Sequence, residues 1–477
     1  METYQQFING ALVDSHSTDW IDVENPYTNE VIARAPKGDE EDVNRAVDAA
    51  KAAQPAWGKQ APVARATYLK QFAQAIRDNR VELARTLASE QAKILPLAQV
   101  EIDVTAEYFD YYAGWARIYE GEIINSDDPR ENILLFQKPI GVVAGICPWN
   151  FPFFVMARKV APSLLAGCTT IIKPSSNTPA TTFAFARLVA ALDLPKGVLN
   201  FISGGGATMG KALVKHPDID MVSLTGSVEA GQEILRDAAE KVMKTSLELG
   251  GKAPAIVFPD ADIDLAVKAV TDSRLIYSGQ VCNCCERVYV HASVYDEFVA
   301  KLKASFEATN IGDPFADPTP AYSSQIDAAQ LEKIDAMVKR AVAAGAEVLT
   351  GGKRADRGTG YFYEPTLITG ATQDSEIVQK EVFGPVLPIV KWDDYDRVIA
   401  DANDVEYGLT SSIFTTNVNT VMQSIKDLNF GETYVNREHF EGIQGFHAGW
   451  RKSGIGGADR KHGLHEYLQS QVVYIRY

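Results

Sequence analysis

The stretch SGQVCNCCERV, residues 278–288, places Cys282, Cys284 and Cys285 within four positions of one another. Such a cluster suits a metal site, a disulfide, or one reactive thiol with two neighbours. A structural zinc site takes four ligands, and the neighbourhood adds only His291, with no second CxxC pair, so no metal is expected. Five cysteines in 477 residues are an odd number and too sparse for a disulfide framework, which points to reduced thiols in a cytoplasmic setting. Three cysteines packed into a core are the ordinary alternative. Against it, Gly279-Gln280 separates a helical run from a strand-like one, so the cluster falls on a loop where backbone N–H groups are free to bind. A thiol is mostly protonated at neutral pH, so a nucleophilic cysteine needs a base nearby.

The candidate base is Glu248 in SLELGGKAP, at the end of an apolar strand and followed by two glycines that permit a sharp turn. A solvated strand-end carboxylate is the alternative role. Asn150, in GICPWNFPFF, sits where a helix begins, and its amide could donate to a developing oxyanion. Asn and Pro are also common helix-start residues. Two glycine-bearing turns, FISGGGATMG and SLTGSVEAG, each follow a strand and precede a helix, the setting in which helix N-termini receive phosphate. The first has glycines at 204, 206 and 210, with Met209 where G-x-G-x-x-G needs its third glycine. Taken alone, it reads as a flexible turn.

The elements around these residues predict an α/β protein. A hairpin is expected at Asn9-Gly10, then the helix EEDVNRAVDAAKAAQPAW and further helix to about Tyr119. From Gly141, short strands (GVVAGI, TTIIKP, VLNFIS, MVSLT) alternate with helices around 155–165, 179–192, 207–215 and 228–242. A second series follows LELGGK: the strand APAIVF, a helix through about Tyr277, the strand RVYVHA and two more helices. Two doubly wound, Rossmann-like domains meeting near residue 250 are implied, with Glu248 and the cysteines at the junction, where clefts form. ENILLFQKPI and LHEYLQSQVVYIRY alternate like strands outside either series, and are expected to pair between subunits.

The net charge of −16 argues against nucleic-acid binding, which calls for a basic face. The opening METYQQFINGALVD has neither a basic nor an apolar leader region, and no run reaches the ~18 apolar residues that span a bilayer. No membrane association is expected.

Together the residues resemble one family over essentially the whole chain, the aldehyde dehydrogenases: PWNFPF, IIKPS, LTGS, LELGGK, SGQVC and EVFGPV occur in that family's order and spacing. The resemblance implies the aldehyde dehydrogenase fold with residues 1–117 and 140–250 as dinucleotide-binding domain, 251–445 as catalytic domain, and 118–139 with 460–477 as oligomerisation strands of a dimer or tetramer. It implies that Cys282 is the nucleophile, Glu248 the general base and Asn150 an oxyanion donor, working with the backbone N–H of Cys282. Cys284 and Cys285 are then bystanders. It assigns the nicotinamide cofactor to Ile146, Pro148, Trp149, Lys173, Ser175, Ser176, Gly206, Gly210, Thr225, Gly226, Ser227, Leu249, Glu381 and Phe383. Lys173 corresponds to the residue that holds the adenosine ribose, and Glu381 and Phe383 to those that seat the nicotinamide ribose and ring.

Within the family, ARIYEGEII and NREHFEGIQGFHAGWRKSGIGGADRKHGLHEYLQ are similar to the branch that oxidises small hydroxyaldehydes of the lactaldehyde and glycolaldehyde kind. That likeness implies substrate contacts at Arg158, Glu441 and His447, unless Arg158 and Glu441 form an ion pair of their own. A rival substrate is a semialdehyde of the succinic type, its carboxylate clamped by Arg158, Arg437 or Arg451. Two stretches depart from the family. Lys173-Pro174-Ser175-Ser176 has Ser where many members have Glu, which removes repulsion of a 2′-phosphate, so NADP is expected to be accepted beside NAD. PTPAYSSQID lacks the family's usual G-P-L-I.

Overall fold

The computed structural model describes residues 1–477. Asn9 and Gly10 both have positive φ, 55° and 76°, and join Gln6–Ile8 to Ala11–Val13 as an antiparallel hairpin, the geometry that two-residue turns favour. The helix Glu40–Gly58 starts at a capping box, in which the Asp39 side chain accepts from backbone N–H groups of Glu41 and Asp42 and Asp42 reciprocates.

Five parallel strands form the centre of the first sheet, in the order Lys244–Glu248, Met221–Thr225, Val142–Ile146, Thr169–Lys173 and Leu199–Phe201. The N-terminal hairpin closes one edge, and the antiparallel Gly454–Ile455 the other. Register puts Thr225 opposite Glu248 and Ile146 opposite Lys173. Four residues of interest therefore share the carboxyl edge of one sheet, where open α/β sheets bind ligands.

The second sheet runs Glu347–Thr350, Thr366–Thr369, Val386–Trp392, Cys285–His291, Ala253–Val257, Thr410–Phe414 and Glu432–Val435, parallel except for its first pair. Residues 249–252 cross from one sheet to the other. A Cβ added at Gly251 would stand 2.4 Å from the Cys282 carbonyl oxygen, so the cysteine loop packs directly on this crossing.

The two alternating segments expected to join subunits pair with each other within the chain. Glu131–Pro139 lies antiparallel to Leu468–Arg476 along their whole lengths, with Glu122–Asn125 on its other side. Residues Arg460–Glu466, expected among the strands, form a helix, since a segment whose one large apolar side chain is Leu464 has nothing to alternate. No helix is long and apolar enough to cross a membrane.

Candidate active site

The helix expected to run through Tyr277 ends at Leu275, and the chain turns at Tyr277 and Ser278, with φ of 43° and 57°. Bulky residues are uncommon in this region and need support from their surroundings. The support is visible: Arg274 donates to the carbonyls of Gly279 and Cys285, at 2.5 and 2.9 Å. The Ser278 hydroxyl donates to the Ser323 carbonyl at 2.8 Å, and the Gln280 side chain accepts from Ile326 N–H at 2.9 Å. PTPAYSSQID, which departs from the family pattern, is thus the segment that braces the cysteine loop. Cys284 and Cys285 are fully buried, and burial pushes the Cys284 thiol up to about 12 and Cys285 well above its usual range. Cys282 alone of the three is partly exposed.

Cys282 stands where two recesses meet, a cavity of about 160 Å³ on one side and a cleft of about 500 Å³ on the other. Asn150 lines both, its amide donating to the Gln280 carbonyl at 3.0 Å. Glu248 lines the smaller cavity and accepts from the Thr225 hydroxyl at 3.3 Å. The helix Pro152–Ala166, which carries Arg158, begins beneath this cavity. Proline occupies its first turn, and Glu101 accepts from the N–H groups of Phe153 and Phe154 at 3.0 and 3.2 Å, satisfying otherwise orphaned donors.

The polar wall of the cavity is an ion-pair network. Arg158, whose guanidinium lies 4.9 Å over the Phe154 ring four residues earlier, donates to Glu441 at 2.9 Å and to both Asp459 oxygens at 2.7 and 3.1 Å. Glu441 also accepts from Asn283 at 2.6 Å, and Asp459 from the Tyr108 hydroxyl at 2.8 Å. Burial works against the Glu441 carboxylate, yet the neighbouring guanidinium holds its pKa down to about 2. His447 Nδ1 lies 2.6 Å from Glu432. Burial disfavours its charge, but the Glu432 carboxylate, aided by the Cys282 side chain, raises its pKa well above the usual value. Arg158, Glu441 and His447 all line the cavity; the Arg158–Glu441 ion pair foreseen as the alternative is present as well. Arg437 donates instead to carbonyls of His439 and Phe440, and Arg451 to those of Asn403, Val405 and Asn429. Neither lines the cavity.

The larger cleft lies beyond the carboxyl edge of the first sheet. It is lined by Ile146, Pro148, Trp149, Lys173, Ser175, Ser176, Gly206, Thr225, Gly226, Ser227, Leu249, Glu381 and Phe383. Gly210 is the exception among the expected positions: it ends a single π-turn, Gly206–Gly210, is buried, and does not line the cleft; a Cβ added there would meet only the Ile146 side chain, at 4.0 Å. The residues fit a dinucleotide. Lys173 is buried with only the Pro174 carbonyl, at 3.2 Å, as acceptor, and burial lowers its pKa to about 8; a buried cation open to a cleft calls for a polar or anionic ligand. Ser227 caps the helix Val228–Ala239, whose positive end faces the cleft. Trp149 and Phe383 meet edge to face at 5.3 Å, a hydrophobic seat for a ring.

Several residues were out of reach of sequence reasoning. Asp459, Glu432 and Asn283 hold the network, yet no spacing ties them to Arg158 or His447. His439 lines the cavity and Lys333 the cleft; His439 lies within the stretch NREHFEG that marked Glu441 but not it, and Lys333 lies in no recognisable motif.

The chain matches the model of the aldehyde dehydrogenase family over residues 12–473. It is 53% identical to lactaldehyde dehydrogenase of Escherichia coli (strain K12), covering 99% of this chain and 98% of that one. It is 37% identical to D-glyceraldehyde dehydrogenase (NADP(+)) of Thermoplasma acidophilum, covering 99% and 96%. The crystal structure of the Escherichia coli lactaldehyde dehydrogenase superposes with a TM-score of 0.98 at 53% identity, covering 100% of both chains. The chain belongs to the aldehyde dehydrogenase family, oxidoreductases that act with a nicotinamide cofactor.

Proposed function

We propose that this enzyme oxidises a small 2-hydroxyaldehyde, of the lactaldehyde and glycolaldehyde type, to its carboxylic acid through a thioester on Cys282. The observation that carries the proposal is the position of Cys282, the one partly exposed thiol of its loop, between a small, mainly apolar cavity with one polar wall and a dinucleotide-sized cleft. The Cys282 thiolate adds to the aldehyde carbon, beside the imidazolium of His447, while Asn150 and the Cys282 backbone N–H receive the developing oxyanion. A nicotinamide cofactor held in the cleft lined by Glu381 and Phe383 would supply the hydride acceptor for that carbon. Glu248 takes a proton from a water that adds to the thioester; the acid leaves and the thiolate returns.

Size and charge support the substrate class. A cavity of about 160 Å³ takes a molecule of few heavy atoms. Its arginine is already bound by two carboxylates, and with Glu248 and Glu432 also present, a semialdehyde carboxylate meets no free cation. Glu441 and His447 are left to receive a neutral hydroxyl.

Lys173, Ser176, Gly206 and Ser227 hold the adenosine and phosphates in this reading, and Glu381 and Phe383 the nicotinamide end. The Ser176 hydroxyl, now donating to the Gly204 carbonyl at 3.2 Å, carries no charge to repel a 2′-phosphate, so NADP+ is used beside NAD+. The apolar Ile123, Phe136, Val472 and Tyr474 are exposed on the three-stranded sheet, whose outer strand Leu468–Arg476 keeps an unpaired edge. Such an edge is normally covered, and a second copy of the chain is the occupant proposed; sedimentation velocity at micromolar concentration should give a dimer or tetramer.

The test is initial rates for lactaldehyde, glycolaldehyde, propanal and succinic semialdehyde with NAD+ and NADP+. The hydroxyaldehydes should lead, Cys282→Ala should abolish turnover, and Cys284→Ala and Cys285→Ala should retain most of it. Glu248→Gln should give a burst of reduced cofactor followed by slow turnover. Preference for succinic semialdehyde would overturn the substrate, and activity in Cys282→Ala the mechanism.

A further inference from the structure

Of the nitrogen- and oxygen-bearing side chains around the substrate cavity, His439 stands apart. It is 5% exposed, it lines the cavity, and neither ring nitrogen has a hydrogen-bond partner. Its ring packs on Phe440, centroids 4.6 Å apart and planes 30° from parallel. Arg437 fixes its backbone, donating to the His439 carbonyl at 3.1 Å. Burial pushes its pKa down to about 4, so at neutral pH the ring carries one N–H donor and one bare acceptor nitrogen. Buried polar groups without partners are rare and costly, and those found at a site point to a ligand.

We infer that His439 is a specificity-determining residue, hydrogen-bonding a hydroxyl of the aldehyde substrate inside the cavity it lines. A hydroxyl both donates and accepts, and so can use either nitrogen of a neutral imidazole. An alkyl chain satisfies neither, and a carboxylate, which only accepts, would use the N–H alone while facing the network's carboxylates. The inference rests on the hydroxyaldehyde reading proposed above and adds a recognising group to it. Arg158, Glu441 and His447 already have partners in one another or in Glu432, Asn283 and Asp459. His439 gains its first partner when substrate enters, so its contribution separates a hydroxylated aldehyde from an apolar one of the same length.

The experiment compares glycolaldehyde, lactaldehyde and propanal as substrates for the wild type, His439→Leu and His439→Gln. His439→Leu should lose about tenfold in kcat/KM for the two hydroxyaldehydes, the scale of one neutral hydrogen bond, and change propanal less than about twofold. His439→Gln, which again offers a donor and an acceptor, should recover most of the loss. Should the leucine variant not fold, His439→Phe carries the same comparison. Equal factors for hydroxyaldehydes and propanal, or full hydroxyaldehyde activity in His439→Leu, would overturn the role of His439. A wild type with no preference for hydroxyaldehydes over propanal would overturn the substrate reading itself, and this inference with it.

Discussion

On the two sides of Cys282 the protein treats charge in opposite ways. In the substrate cavity Arg158, Glu441 and His447 are each tied to a partner within 3 Å, and Glu248, whose proposed task is to exchange protons, is the carboxylate left without a cation. In the cofactor cleft Lys173, Lys333 and Glu381 line the walls, and none of the three forms an ion pair; Lys173 has a single carbonyl, and Glu381 a single backbone N–H at 2.8 Å. A network complete in itself holds the shape of a cavity for a small substrate that brings little binding energy. A cleft with unsatisfied charges gives up stability in the free protein and recovers it when a large polar cofactor arrives. The contrast predicts that truncations on the substrate side damage the fold, while those on the cofactor side relieve it and damage binding.

The largest effect expected is on Arg158. Replacing it by Met leaves the buried Asp459 and Glu441 facing each other without a cation, and breaking such a group from one side costs about 3–5 kcal/mol. Urea denaturation should show this as a lower midpoint with an unchanged slope. A loss below about 1 kcal/mol, the range of a surface pair, would mean that the network does not support the fold.

Lys173→Met is the counter-experiment. The folded-state pKa of Lys173, about 8, lies below the ordinary 10.5, so the free protein bears the cost of burying the ammonium at any pH below about 8. That cost fades as pH rises from 8 to 10.5, where the unfolded chain binds the extra proton. Removing the ammonium should therefore stabilise the cofactor-free enzyme at pH 7 by on the order of 2 kcal/mol, and raise the KM for cofactor at least about tenfold. Destabilisation would break the contrast between the two sides.

Ser176→Glu tests selectivity within the cleft. If Ser176 lies beside the adenosine ribose as proposed, the new carboxylate should raise the KM for NADP+ by about tenfold or more, one unfavourable charge contact, and leave the KM for NAD+ within about threefold. A wild-type enzyme inert with NADP+ would refute the role given to Ser176.

What could be read in advance divides along a similar line. Cys282, Glu248 and Asn150 lie in short motifs where a strand end or loop announces itself through Gly, Pro and Asn, and the fold brings all three to one place. Ile146, Lys173 and Thr225 came from the family resemblance, and the register of the first sheet shows that they share one carboxyl edge with Glu248. The partners of the polar wall did not, because Arg158 and Asp459 are 301 positions apart and nothing local links them. Alternation marked the segments at 131–139 and 468–476 as strands, but period two says nothing of which edge a strand will join. Gly210, one position beyond where G-x-G-x-x-G needs its third glycine, came from the resemblance; it ends a π-turn and does not line the cleft.

The finest test concerns Glu381, which lines the cleft and is proposed to seat the nicotinamide ribose. Burial raises its pKa from 4.5 to about 7, with Glu286 adding to the effect and the Gly251 N–H opposing it. A carboxyl whose folded-state pKa is raised binds a proton in the folded state that the unfolded chain has released between pH 4.5 and 7. Stability therefore falls as pH rises through that window, and the full penalty is in place above pH 7. Because the side chain is partly exposed, that penalty is about 1 kcal/mol. Glu381→Gln should remove it, so the cofactor-free variant should be more stable than the wild type at pH 8 and indistinguishable from it at pH 4.5, by urea denaturation at each pH. Under saturating aldehyde the same variant should show a higher KM for cofactor, since an amide accepts more weakly than a carboxylate from a ribose hydroxyl. A variant less stable than the wild type at pH 8 would place Glu381 among the structural charges and erase the difference between cleft and cavity at this end.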